Sequence, residues 1–135
     1  MAALTAERDT KKKEGDFRVI PIAASTKIYQ GALVAVNGSS YGVPGSVATT
    51  LRGAGRAEET VDNTGGSAGD KSISVRRGIF QYGNSASSDA IALKDIGKDC
   101  YIVDDQTVAL TNGSSTRSIA GTIHDVDANG VWVKF

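Results

Sequence analysis

The sequence predicts an all-β fold, a small antiparallel β-barrel or sandwich, preceded by a flexible N-terminal arm. Three observations carry that prediction. Apolar and polar residues alternate in short runs, as in KSISVRRGIFQY, where Ile73 and Val75 alternate with Ser72, Ser74 and Arg76. Turn-forming clusters separate such runs every eight to twelve residues or about that, the spacing of sandwiches and barrels; the 16 glycines against 2 prolines fit many tight turns. No stretch holds an apolar stripe of helical period, and ALKDIGK has room for one helical turn at most.

Residues 1–16, MAALTAERDTKKKEGD, stand apart from the rest. They carry Glu7, Arg8, Asp9, Lys11, Lys12, Lys13, Glu14 and Asp16, with almost nothing apolar after Leu4. Such a segment cannot bury enough surface to offset its ordering entropy, so a flexible segment is expected, read as an arm with Arg8, Lys11, Lys12 and Lys13 as its candidate contact residues, the plainer alternative being a frayed terminus. Residues 17–135 form the expected single β-domain. FRVIP and TKIYQGALVAV open it, with Gly31 expected at a bend or bulge. Asn37-Gly38 suits a hairpin turn needing positive φ and leads into SYGVP. GAGRAEETV, the loop DNTGGSAGD, KSISVRRGIFQY and the loop NSASSD follow.

The hairpins then make specific demands. In YIVDDQTVAL a two-residue turn at Asp105-Gln106 pairs Val103 with Val108 and Tyr101 with Leu110, leaving Ile102 and Ala109 on the other face. In HDVDANGVWVKF a turn at Asn129-Gly130 sets Val126 against Val133 and His124 against Phe135. Asp125 and Asp127 then share the opposite face with Trp132 and Lys134, so the only histidine does not converge with the two carboxylates on a metal or a proton. Asp125 is expected to pair with Lys134 across the strands.

The composition excludes several functions. At 135 residues the chain makes one domain with a modest core. Fifteen basic residues balance 15 acidic ones, and only 6% of residues are aromatic, which argues against a surface built to neutralise phosphates or stack bases. A single cysteine, Cys100, permits no internal disulfide; within DCYIV it reads as a buried, inert thiol. No apolar run approaches the ~20 residues that cross a bilayer, and no signal-peptide core is evident, so a soluble protein made in the cytosol is expected, with no membrane or direct nucleic-acid partner.

Catalytic and cofactor patterns are missing. GNSAS lacks the last glycine of a nucleophile elbow, and GGSAGDKS places Asp70 where a phosphate loop needs glycine and lysine. GAGRAE lacks the third glycine of a dinucleotide fingerprint. One His and one Cys leave no zinc set. No enzyme, cofactor or metal is therefore expected. Arg52, Arg56, Arg76 and Arg77 form a possible interaction surface, whose plainer explanation is charged strand edges that discourage wrong pairing. Function is expected to lie in the surfaces.

The order of four segments is more specific: IYQGALVAVNGSSYGVP, GRAEETVDNTGGSAGDKSISVRRGIFQ, DIGKDCYIVDDQTVAL and RSIAGTIHDVDANGVWVKF. Together, over residues 25–135, they resemble the capsid cement, or head decoration, proteins of tailed bacteriophages. The matching patterns are Arg76-Arg77-Gly78-Ile79-Phe80, the hairpin from Ile96 to Ala109 and the closing hairpin from Ile119 to Val133. The resemblance implies a structural protein of the virion that binds the outer capsid surface as a homodimer or homotrimer and clamps major capsid proteins. A sugar- or host-surface-binding module is the alternative, with Trp132, Tyr82 and Tyr41 as a stacking platform.

Overall fold

The computed structural model describes residues 2–13 and 15–135. Twelve strands follow the arm: β1 (Phe17–Pro21), β2 (Lys27–Ile28), β3 (Leu33–Val36), β4 (Gly42–Pro44), β5 (Arg52–Ala57), β6 (Val61–Asp62), β7 (Ser72–Arg76), β8 (Ile79–Asn84), β9 (Asp99–Ile102), β10 (Thr107–Ala109), β11 (Ile119–Asp127) and β12 (Gly130–Lys134). They form a five-stranded sheet in the order β1-β7-β5-β3-β4, a closed barrel in the order β10-β8-β12-β11-β9, and the small pair β2-β6. The all-β architecture is as the sequence predicts. Every strand ladder is antiparallel except β8 with β10, which run parallel. Among the described residues, helix is confined to single 3-10 turns at Ser87–Asp89 and Leu93–Asp95, the latter inside ALKDIGK.

Two apolar clusters hold these layers. Cys100, Ile102, Val108, Ile123, Val131 and Val133 fill the barrel, and Ile20, Ile22, Ile28, Ile73 and Val75 fill the far side of the open sheet. β3 serves both: Leu33 and Ala35 point to the barrel cluster while Val34 joins the other. The two-residue period of a strand makes that division possible, which is why LVAV is apolar without a break. Each fully buried aliphatic side chain contributes about 1.5–3 kcal/mol.

The segment KSISVRRGIFQY divides between the layers. β7 ends at Arg76, Gly78 takes φ +153°, and β8 continues in the barrel. The sheets touch closely where Gly53 of β5 meets Ala120 of β11, since a Cβ at Gly53 would lie 1.9 Å from the Ala120 carbonyl oxygen. Only glycine allows that approach.

Several turns differ from expectation. Gly31, at φ +89°, separates β2 from β3 instead of bulging one strand. Val36 pairs with Gly42, so the loop after β3 is longer than Asn37-Gly38 alone; the positive φ falls on Ser40 (71°), and Asn37 Oδ1 accepts from the amides of Ser39 and Tyr41. Val108 pairs with Ile102 and Ala109 with Tyr101, one residue away from the expected register. The extra loop residue turns Ile102, not Val103, into the core beside Val108. The segment from Asn112 to Arg117 forms a further turn after β10. Gly113, Ser114 and Ser115 all take positive φ, and the Asn112 carbonyl accepts from the amides of Thr116 and Arg117.

Candidate interaction surface at the root of the arm

Residues 2–13 are exposed and belong to no helix or strand, with a local ion pair between Lys11 and Asp9. Arg8, Lys11, Lys12 and Lys13 therefore stand away from the β-body, and Glu14 lies outside the described residues. The arm leads into β1, the edge of the open sheet. Arg77 N–H donates to the Asp16 carbonyl (2.7 Å) and Ile22 N–H to that of Lys71 (2.9 Å). Hydrogen-bonded pairs alternate along an antiparallel ladder, so Asp16, Arg18, Ile20 and Ile22 address β7 while Phe17 and Val19 turn their backbone groups outward.

That edge is short and bounded. Beyond it, Ile22 bridges to Gly42 and Ala23 N–H donates to the Gly42 carbonyl, so the sheet curls until its two ends meet there. Pro21 offers no N–H, which stops any further ladder. The gap is left at Phe17–Val19, where Val19 is 67% exposed and Phe17 43%.

The register carries the candidate arginines to the same place. Phe17 pairs with Arg76, and Arg76 with Arg56. Two cations directly opposite each other repel. Glu58 resolves the conflict: its Oε1 lies 2.7 Å from Arg56 Nη2 and 3.5 Å from Arg76 Nε. Each guanidinium also covers an aromatic ring, Arg56 over Phe80 at 4.2 Å and Arg76 over Phe17 at 3.8 Å. Two guanidiniums thus share one carboxylate oxygen and retain net positive charge, each lying over a ring. Sequence reasoning missed Glu58, Phe17, Phe80 and Val19. Phe17 and Val19 carried a signal, as apolar residues of one face directly after the charged arm.

Arg52 and Arg77 do not join this cluster. Arg77 follows the end of β7, exposed, and Arg52 begins β5, where it lines a groove of about 690 Å³ between the sheets with Asp99, Tyr101, Ile119 and Lys134. Arg117 also lines it, tied to Asp89 at 3.2 Å and to the Thr111 carbonyl.

The remaining candidates have structural explanations. His124 is the extra residue of a β-bulge between Ile123 and Asp125 and is exposed. The bulge and a turn at Ala128-Asn129 replace the expected pairing: Asp125 faces Trp132, Thr122 faces Lys134, and His124 does not face Phe135. Asp125 accepts from the Val126 amide and makes no ion pair with Lys134 among the described residues. Asp127 accepts from the Trp132 indole at 2.8 Å and from the Asn129 amide, and these bonds hold its carboxyl below the usual carboxylate range. The Cys100 thiol is buried, and burial pushes its pKa up to about 12, so it is mostly protonated at neutral pH. Tyr82 is buried with its hydroxyl 3.3 Å from the Gly31 carbonyl, so Trp132, Tyr82 and Tyr41 do not form one exposed stacking platform.

Among the described residues, no three His, Cys, Asp or Glu side chains are grouped to hold a metal ion, and no helix is long and apolar enough to cross a membrane. No protein-family model matches the chain, and neither a curated protein nor a solved structure matches it.

Proposed function

We propose that this is a non-enzymatic structural protein of a virion, which binds the outer surface of an assembled bacteriophage head and clamps adjacent major capsid proteins. The observation that carries the reading is an exposed, charged arm running straight into an unpaired sheet edge on a two-core β-body. The resemblance of residues 25–135 to capsid cement proteins supports the same role. The protein would be made in the host cytoplasm and end on the capsid exterior, without direct contact to nucleic acid or membrane.

The division of labour follows from the physics. Two packed cores fix the positions of the contacts, and the arm orders on its target. Ordering an arm costs roughly 1–2 kcal/mol of backbone entropy per residue, so each arm binds weakly alone. Two or three linked copies acting on neighbouring capsid subunits recover affinity through effective concentration.

Purified protein mixed with heads lacking it should co-sediment and saturate at a fixed ratio to capsid subunits. A chain beginning at Phe17 should bind at least tenfold more weakly. Failure of the full chain to bind heads would reject the function, whereas equal binding by both chains would reject the role of the arm.

A further inference from the structure

We propose that the gap at Phe17–Val19 is a receptor for one extended strand of a partner protein, carrying a carboxylate and an apolar side chain two residues apart. This deepens the proposed function and rests on it only for where the partner is found.

Three independent features of the edge specify the occupant. The first is the backbone: Phe17 and Val19 each turn an N–H and a C=O outward, β1 pairs with β7 alone among the strands, and Pro21 ends the ladder on one side. Such an edge accepts a short strand and offers nothing comparable to a helix or a nucleic-acid backbone. The second is the side-chain alternation. Phe17 and Val19 lie on one face, with Ser74 opposite Val19 and Arg76 opposite Phe17. A strand docked beside β1 therefore places one side chain against the Val19 isopropyl and another, two positions away, beside Phe17, whose ring the Arg76 guanidinium covers from the β7 side.

The third feature is charge. Around the edge, Arg18, Arg56, Arg76 and Arg77 face Asp16, Glu58 and Glu59; Glu58 is engaged by two guanidiniums, and Glu59 accepts from the Ser74 amide. Arg76 is only about one-third exposed and lies over the Phe17 ring, so less rotamer entropy remains to be lost on pairing with a carboxylate. Arginine beside exposed aromatic and aliphatic groups is also the composition of interface anchors.

The protein's own arm, over residues 2–13, does not occupy the edge. Residues 2–13, which carry Lys11, Lys12 and Lys13, belong to no strand and make no ladder with β1. In the structure these lysines are exposed and stand off the edge.

The test uses the full-length chain and a blocked seven-residue peptide, Ser-Thr-Glu-Thr-Val-Thr-Ser, with matched peptides carrying Gln or Lys for Glu. Amide chemical shifts of the protein report both affinity and place. The glutamate peptide should give saturable shifts centred on Phe17–Val19 and Arg76, and the lysine peptide should bind at least tenfold more weakly. Arg76→Gln should make the glutamate and glutamine peptides equivalent. Val19→Pro should abolish binding; Val19→Lys, which leaves the backbone free to stay as it is, should weaken it at least fivefold if the proline disturbs the strand.

Equal binding of the glutamate and lysine peptides would overturn the proposal, as would shifts centred elsewhere. Concentration-dependent self-association removed by Val19→Lys would also overturn it, by making a second copy the occupant. Heads are absent from this experiment, so its failure is separate from any failure to bind capsids.

Discussion

The barrel and the open sheet are built from similar strands and solve the edge problem in opposite ways. In the barrel, β9 and β8 both pair with β10, so every strand has two neighbours. In the open sheet, curling brings Ile22 to Gly42 but leaves Phe17–Val19 unpaired, with Val19 mostly exposed. A closed barrel removes edges and gains rigidity, whereas an open edge is either guarded or used. Here the guard is minimal, a proline at the end of β1, and the arm begins at the other end.

The contrast predicts opposite responses to truncation. Ile102→Ala in the barrel should destabilise the protein by about 2–5 kcal/mol, because Ile102 is fully buried and packed neighbours relax only partly into the space left. Val19→Ala should change stability by less than about 0.5 kcal/mol, as expected of an exposed position. Urea unfolding of the two variants measures both. Comparable losses would mean that the edge is already filled in the free protein, and the separation between a rigid body and an available edge would fail.

Acid should act chiefly on the barrel half. The carboxyls of Asp89, Asp95 and Asp127 are all held below the ordinary carboxylate range, by the Thr111 hydroxyl, by the Ala92 amide and by the Trp132 indole respectively. Asp62, on the small β2-β6 pair, is lowered by Thr64. A carboxyl with a depressed folded pKa stabilises the fold above its unfolded pKa, roughly 4. That stabilisation is lost as pH falls from there through the folded value. The urea midpoint should therefore decline below about pH 4, and less steeply in Asp95→Asn than in the parent. A midpoint flat from neutrality to about pH 3 would contradict these bonds.

The places where sequence and structure part have physical causes. Strand runs were legible because alternation marks a half-buried strand: Ile73 and Val75 are fully buried, as KSISVRR implies. Registers were not. A third residue in the DDQ loop moved the pairing by one and exchanged Val103 for Ile102 in the core, and nothing in those letters distinguishes two loop residues from three. The bulge at His124 likewise removed the expected Asp125–Lys134 partnership. Of the four candidate arginines, only Arg56 and Arg76 meet, because their pairing depends on how β5 sits against β7, far apart in sequence. Glu58 looked like an ordinary surface acid until that pairing gave it two partners.

The smallest effect bears on that last point. In Glu58→Gln, Arg56 and Arg76 would remain opposite each other without the shared carboxylate. All three side chains are partly exposed, so the cost is limited to roughly 0.5–1 kcal/mol at low ionic strength, and it should shrink as salt approaches about 1 M. Arg76→Gln introduced together with Glu58→Gln removes the repelling pair and should recover part of the loss, a coupling that urea unfolding of the two single variants and the double variant resolves. A loss independent of salt would show that Glu58 acts through packing, and the two rings beneath the guanidiniums would then be what holds them in place at the root of the arm.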